Sequence, residues 1–148
     1  MLRAVSLMAL AGLVGLTGCG AKIEDTRPGK PVQTRQDAFH EILREFEPMG
    51  VMLRTRTYQA EPFARHAERL FELRDEPWPH FGPDTHYPPT KAKAEVWSQP
   101  ELFERQRLEF IAATEALRAV ARDEEAARSA YFKVYDTCKA CHERFKGR

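Results

Sequence analysis

The residues best suited to chemistry form one run near the C-terminus, Cys138-Lys139-Ala140-Cys141-His142. Residues three apart on a helix are neighbours, so both thiols would face the same side. They can add to the two vinyl groups of one haem as thioethers, and the adjacent imidazole can then bind the iron. The motif predicts one covalent haem c, attached through Cys138 and Cys141, with His142 as axial ligand.

Three other uses of a Cys-x-x-Cys pair fit the sequence less well. A thioredoxin-like site would need a preceding strand in a βαβ unit, and no segment alternates with period two. A zinc site would need four ligands, and the chain has neither a second such pair nor paired histidines. A disulfide spanning two residues within a helix would be strained.

The third cysteine, Cys19, follows a segment with the features of a secretory signal. Arg3 precedes an uncharged run from Ala4 to Leu16, which is too short to span a membrane. Leu16-Thr17-Gly18-Cys19 resembles the lipobox of bacterial lipoproteins, in which the cysteine is acylated. We therefore expect residues 1–18 to be removed and Cys19 to carry a lipid anchor. The alternative is an ordinary secretory signal whose cysteine lies near the cleavage site by chance.

Export agrees with the haem motif, because covalent haem attachment is made outside the cytoplasm. We expect the protein on the periplasmic side of the bacterial envelope. Gly20, which follows the lipidated cysteine, favours sorting to the outer membrane, with the inner membrane as the alternative. Without residues 1–18, basic and acidic residues balance, so no nucleic-acid partner is expected.

Apolar periodicity divides the rest of the chain. Residues 20–33 contain Pro28, Gly29 and Pro31 without an apolar period, which predicts residues 19–33 as lipid anchor and tether. Residues 34–148 are predicted to fold, since apolar residues recur there at three- and four-residue steps. The four stripes are Phe39, Ile42, Phe46, Met49 and Leu53; Phe63, Ala67, Leu70 and Leu73; Phe103, Phe110, Thr114, Leu117 and Val120; and Ala127, Ala130, Val134, Cys138, Cys141 and Phe145.

Helix signals flank these stripes. Ser98 and Glu101 form a candidate capping box for the third helix, and Asp123 is a candidate cap for the fourth. Six of the ten prolines lie between Arg74 and Glu101, which predicts a long ordered loop there. Four amphipathic helices, each too short to be stable alone, can bury their stripes only against one another. The predicted fold is all-α: an antiparallel, up-down-up-down four-helix bundle with haem c on the last helix.

Several segments from about Gln33 onward resemble the cytochrome c′ family, bacterial bundles that carry haem near the C-terminus. They are Arg35-Gln36-x-Ala38, Glu47-Pro48-Met49-Gly50, Pro77-Trp78-x-x-Phe81, Ala94-Glu95-Val96-Trp97-Ser98 and the haem motif itself. The resemblance implies that the haem pocket includes Arg35, Gln36, Trp78, Phe81 and Phe145. It places Arg35 near a haem propionate; the alternative for this arginine is a surface salt bridge.

The resemblance also implies what faces the iron. The distal position, commonly leucine or methionine in the family, is Phe39, and a phenyl ring cannot ligate iron. Met49 and Met52 lie too far along the helix, so His142 would be the only protein ligand. On the proximal side, Lys146 stands where the family often has arginine, and a lysine covers that face less completely.

We expect a protein that binds nitric oxide or carbon monoxide at a five-coordinate iron under an apolar distal pocket, for nitric oxide scavenging or tolerance. The alternative is a membrane-anchored single-electron carrier with a redox partner protein. A peroxidase is the weakest reading, because no distal histidine or arginine is apparent, and we expect no enzyme activity. Family members often form homodimers through their first two helices, so a second copy is a candidate partner.

Overall fold

The computed structural model describes residues 23–147, so the predicted signal peptide and Cys19 lie outside the described residues. Helix α1 spans Pro31–Thr55, α2 spans Ala60–Leu73, α3 is a single turn at Glu95–Ser98, α4 spans Pro100–Val120 and α5 spans Glu124–Phe145, with a 3-10 turn at Trp78–His80. Within residues 23–147, no helix is both long and apolar enough to cross a membrane.

The four long helices form the predicted all-α, antiparallel bundle. Helix α1 packs on α2, α2 on α4, and α4 on α5, while the contact between α1 and α5 is the least extensive of the four. Residues 56–59 and 121–123 make short connections, which turn neighbouring helices antiparallel. The predicted stripes supply the core, which includes Ile42, Met49, Leu53, Phe63, Leu70, Phe110, Leu117 and Val134.

This topology puts the start of α1, the end of α2, the start of α4 and the end of α5 together at one end of the bundle. We call it the motif end, because Cys138 to His142 lie in the last turns of α5. The end of α5 is held there by backbone hydrogen bonds from Lys93 N to Phe145 O (2.8 Å) and from Gly147 N to Lys91 O (2.7 Å).

Helix α1 begins at Pro31, whereas the periodicity predicts a start near Thr34. Proline suits a first helical turn because it has no backbone donor to leave unpaired. The carboxylate of Asp25 accepts hydrogen bonds from Val32 N (2.9 Å) and Gln33 N (3.1 Å), so it caps the helix from outside the cap position. Asp25 is fully buried, and the predicted tether therefore overlaps packed chain from this residue onward.

The two predicted caps have different outcomes. Asp123 caps α5 as predicted, since its carboxylate accepts from Ala126 N at 2.9 Å. The capping box at Ser98 and Glu101 is wrong. Ser98 is the last residue of α3, and the N-cap of α4 is Gln99, which makes no side-chain cap hydrogen bond. The sequence pattern matched, but the extra turn of α3 in the predicted loop moved Ser98 out of the cap position.

Candidate haem site

The motif residues lie on the exposed and half-buried surface of the last two turns of α5. Cys138 and Cys141 are free thiols, and burial raises the pKa of each to about 11. Burial, and then the charge of Lys146, lower the pKa of His142. The neutral imidazole, which is the form that binds a metal, is therefore favoured. Lys146 thus lies close to the imidazole, as the spacing of four residues predicts.

A stacked ring pair fixes the register of α1 against α5. Phe46 and Tyr131 stack with centroids 4.3 Å apart and planes 8° from parallel. Helices α1 and α5 are antiparallel, so moving toward the motif end means going backward along α1 and forward along α5. Seven residues before Phe46 and seven residues after Tyr131 are therefore at the same height along the bundle axis, about 10 Å nearer the motif end. Those positions are Phe39 and Cys138, and both pack against the core. The contact between α1 and α5 is the least extensive in the bundle. We use the name α1–α5 crevice for the part of this interface that lies between the stack and the motif end.

A glycine allows the close approach at the closed end of the crevice. A Cβ at Gly50 would lie 2.3 Å from the hydroxyl oxygen of Tyr131 and 3.0 Å from its Cζ. No side chain could occupy that space without moving the tyrosine. Helices α1 and α5 therefore touch at Gly50 and Phe46, and the crevice begins beyond that contact.

Aromatic rings surround Phe39 at the motif end. Its ring meets Trp78 edge-on at 5.5 Å and Phe81 at 6.3 Å. Phe81 contacts Phe103 at 5.0 Å, and Phe103 contacts Phe145 at 5.2 Å. We call these five residues the aromatic cluster. It joins α1, the 3-10 turn, α4 and α5, and so brings together four predicted pocket residues and Phe103, a residue of the third predicted apolar stripe.

Arg35 is buried, with 3 % of its surface exposed, so the alternative of a surface salt bridge does not apply. Its guanidinium donates to His80 O (3.0 Å), to Thr85 Oγ1 (2.8 Å) and O (3.0 Å), and to Thr90 Oγ1. It also lies 4.6 Å over the ring of Phe81. Four of its five N–H donors thus hold the loop that carries the aromatic cluster. Burial lowers the pKa of Arg35.

Gln36 supports the same loop, since its amide donates to Pro89 O at 3.1 Å. The indole of Trp97 donates to Gly82 O at 2.9 Å and so joins α3 to this loop. The indole N–H of Trp78 donates to Arg74 O (2.6 Å) and is therefore used within the loop.

The same helix register relates Arg35 to the predicted iron ligand. Arg35 is 11 residues before Phe46 and His142 is 11 residues after Tyr131, so the two are at the same height along the bundle axis.

Other side chains that could ligate iron include two methionines and three histidines. Met49 is fully buried in the core, and Met52 packs against it. His40, which follows Phe39 in sequence, is exposed. His66 pairs with Glu45 at 2.8 Å, and His86 stacks on Trp97 at 4.8 Å.

Sequence reasoning missed two side chains beside the crevice. Leu43 follows Phe39 by four residues and Tyr135 follows Tyr131 by four, so each shares a helix face with a crevice residue. Both are large apolar groups left exposed, at 43 % and 50 %. An exposed leucine on α1 carries no signal by itself. Only the register of the two helices places both residues beside the same space.

These residues fit a covalent haem c. The two thiols share a helix face with an imidazole next to them, as thioether attachment and axial ligation require. The small α1–α5 contact, the exposed side chains of Leu43 and Tyr135, and the aromatic cluster provide the apolar surroundings that a porphyrin needs. The fold and the site together define the class: a four-helix-bundle cytochrome with its haem motif at the end of the last helix.

Comparison with known proteins agrees with this class. The sequence model described as Cytochrome C′ matches residues 30–146. A cytochrome c′ of Rubrivivax gelatinosus is 30% identical over 124 residues, covering 81% of this chain and 96% of the relative. The chain belongs to the cytochrome c′ family, whose proteins bind one covalent haem c, and haem c is its cofactor.

Solved structures extend the comparison to the fold. Cytochrome c′ of Shewanella frigidimarina superposes with a TM-score of 0.79 at 26% identity, over 83% of this chain and 98% of that one. A variant of the Alcaligenes xylosoxidans protein, solved as its nitric oxide complex, has a TM-score of 0.77 at 29% identity, over 84% and 99% of the two chains. Another variant of that protein was solved with bound carbon monoxide.

Proposed function

We propose that this cytochrome binds nitric oxide or carbon monoxide at a five-coordinate haem iron. Cys138 and Cys141 form the thioethers, and His142 is the only protein ligand. One observation supports the proposal: the stack of Phe46 on Tyr131 sets a register in which Phe39, which cannot ligate iron, is at the level of Cys138. The haem supplies a ferrous iron with one vacant position, which has intrinsic affinity for diatomic gases.

The protein's own residues shape access to that position. The ring of Phe39 is braced by Trp78 and Phe81, so it resists displacement by an incoming ligand. The aromatic cluster excludes water and presents carbon rather than donors. Because the Trp78 indole N–H already donates to Arg74 O, it is not available to a bound gas. Such a pocket selects by size and gives bound dioxygen no hydrogen bond.

The proximal face has a different character. Lys146 is exposed and follows the turn that ends α5, near His142. Its mobile ammonium covers less of this face than a planar guanidinium would. Arg35 and Gln36 act through the loop, and the remaining Nε donor of Arg35 is the group we assign to a haem propionate. Leu43 and Tyr135 are proposed as apolar walls of the crevice.

The proposed setting is the periplasmic side of the envelope, with Cys19 acylated and the outer membrane preferred. Support for gas binding comes from the nitric oxide and carbon monoxide complexes of the related Alcaligenes xylosoxidans protein. At the envelope, we propose that this cytochrome serves nitric oxide scavenging or tolerance by binding the gas and not by catalysis.

The deciding experiment is an optical spectrum of the purified ferrous protein with and without nitric oxide. We expect a high-spin spectrum that changes when the gas is added, because His142 is the only strong-field protein ligand. A six-coordinate, low-spin spectrum that ignores the gas would contradict the proposal. It would instead fit the single-electron carrier.

A further inference from the structure

We infer that the motif end of the bundle is a membrane-facing surface, held against lipid by the anchor. The inference rests on the proposed acylation of Cys19 and goes beyond it, because a lipid anchor alone does not orient a domain. Three features support it. The first is the residue at which the N-terminal segment is bound to the folded domain, the second is the number of residues between that point and Cys19, and the third is the end of the bundle at which that point lies.

Asp25 fixes the chain. Its carboxylate is fully buried and accepts from three backbone groups, Arg27 N (3.2 Å), Val32 N (2.9 Å) and Gln33 N (3.1 Å). It also accepts from the hydroxyl of Tyr87 at 2.9 Å. Releasing the Asp25 carboxylate would leave the backbone N–H groups at the start of α1 without their acceptor, which is unfavourable. The chain is therefore part of the folded domain from Asp25 onward.

A second contact strengthens this attachment. The guanidinium of Arg27 donates to Asp84 O at 2.9 Å and lies 4.0 Å over the ring of Tyr87. Both partners belong to the loop that Arg35 holds against the aromatic cluster. The N-terminal segment is thus bound to the loop beside the haem site as well as to α1.

The remaining connection to the lipid is short. Five residues lie between Cys19 and Asp25, and the six Cα–Cα steps of that connection span about 20 Å when fully extended. A tether reaching Gln33 would have spanned about 50 Å, which is longer than the bundle itself. Helix α1, with 25 residues, is about 37 Å long. The anchor therefore reaches one end of the bundle and holds that end near the surface.

That end is the motif end. Asp25 contacts the first turn of α1 and the loop at Tyr87, and the antiparallel topology puts the end of α5 beside them. Ile23, two residues before Asp25, also suits an interface, since it is an aliphatic side chain with 61 % of its surface exposed. Exposed Arg27 and Lys146 at this end would be attracted to anionic headgroups.

The orientation has a functional consequence. Cys138 to His142 occupy the last turns of α5, so the haem would lie next to the lipid surface. Apolar gases concentrate in lipid, and membrane-embedded redox proteins expose their soluble faces at the lipid surface. The anchor would thus present the haem to ligands and partners arriving from the membrane, while the opposite end of the bundle points into solution.

Site-directed fluorescence on the full-length, acylated holoprotein tests this orientation. Haem attachment and acylation consume the three natural thiols, so one introduced cysteine can be labelled selectively. Glu101→Cys and Glu125→Cys are matched sites, because both are exposed and each lies in the first turn of a long helix. Glu101 is at the motif end, and Glu125 is at the other end, about 30 Å away along α4.

The labelled proteins are bound to vesicles with and without nitroxide-headgroup lipid. We expect several-fold stronger quenching of the label at position 101 than at 125. A Gly-Ser insertion after Gly20 lengthens the connection to the anchor and should reduce this difference without releasing the protein. Equal quenching at both sites would overturn the orientation and leave the anchor standing. Protein that does not float with the vesicles would overturn both.

Discussion

At the scale of single residues, Phe39 has the most direct influence on the proposed gas site. Its ring contacts two aromatic neighbours, Trp78 and Phe81, and we propose that it covers the distal side of the iron. A ligand approaching the distal side must therefore displace or bypass a braced ring. The cost of that displacement raises the barrier to gas binding.

Replacing this ring should open the site. In Phe39→Ala, we expect carbon monoxide association with the ferrous protein to be faster by about tenfold, which corresponds to about 1.4 kcal/mol of barrier. Flash photolysis measures the rate. Phe132→Ala is the matched control, since Phe132 is 49 % exposed on α5 and lies outside the aromatic cluster. An unchanged rate in Phe39→Ala would show that Phe39 does not guard the iron.

Asp25 makes stability depend on acid. Burial acts to raise the pKa of its carboxyl, but the hydrogen bonds from Gln33, Tyr87, Arg27 and Val32 together outweigh it, and the pKa lies below the ordinary value. A carboxyl with a lowered pKa stabilises the fold at higher pH, and this stabilisation is lost as the pH falls below about 4.

Asp25→Asn should remove this acid-dependent step, because the amide does not titrate. We expect the variant to be less stable than the wild type at neutral pH, and the difference should shrink as the pH falls below about 4. Denaturant unfolding at several pH values measures both. The neighbouring Glu24→Gln is the control, since Glu24 is exposed and makes only a surface pair with Lys30. A constant difference across the pH range would refute the assignment.

At the scale of elements, the contact between α1 and α5 decides where the crevice begins. Gly50 permits it by leaving room for Tyr131. In Gly50→Ala, the new methyl would force the tyrosine or the helices to move, and such overpacking costs about 1–3 kcal/mol of unfolding free energy. Chemical denaturation measures this loss.

A matched glycine makes this prediction specific. A Cβ at Gly82 would be 3.8 Å from Thr85 Cγ2, which is an ordinary contact, so Gly82→Ala should cost much less. Adding Tyr131→Phe to Gly50→Ala removes the nearest clashing atom and should restore part of the stability. No recovery in the double variant would indicate that the tyrosine hydroxyl is not the source of the strain.

The two predicted caps can be separated by substitution. Asp123→Ala should destabilise the protein by about 1 kcal/mol, because Ala126 N loses its acceptor at the start of α5. Ser98→Ala should have almost no effect, since Ser98 ends α3 and caps nothing. Thermal or denaturant unfolding compares the two variants. Equal losses would mean that Ser98 does cap α4 in solution.

At the scale of the whole molecule, the antiparallel topology gathers the functional parts at one end. The aromatic cluster, the haem motif and the fixed segment at Asp25 come from distant parts of the sequence and meet at the motif end. The opposite end contributes the tight contact of Gly50 and Tyr131. One end thus remains open for a cofactor, while the other keeps the helices in register.

The anchor can be tested on the whole protein. Cys19→Ser should release the cytochrome from the membrane into the soluble fraction, because no acyl chains can be attached to serine. Haem absorbance in each fraction measures the distribution. The spectrum should be unchanged, since Cys19 is far in sequence from the haem motif. Protein that stays on the membrane without this thiol would contradict the lipid anchor.

Local patterns in the sequence determine the class of this protein. The spacing of the motif cysteines and histidine predicts haem c, and three- and four-residue apolar steps predict four helices. These inferences succeed because thioether attachment and helix periodicity depend on neighbours within a turn or two. The assignment of Asp123 as a cap succeeds for the same reason.

Only the tertiary structure decided which distant residues share a site. The sequence allows a surface salt bridge for Arg35, but in the fold the loop from His80 to Thr90 encloses its guanidinium. Leu43 and Tyr135 gained meaning only from the stack of Phe46 on Tyr131, which sets the register of two helices about 85 residues apart in sequence. Such contacts depend on how whole helices pack, and no local pattern encodes them.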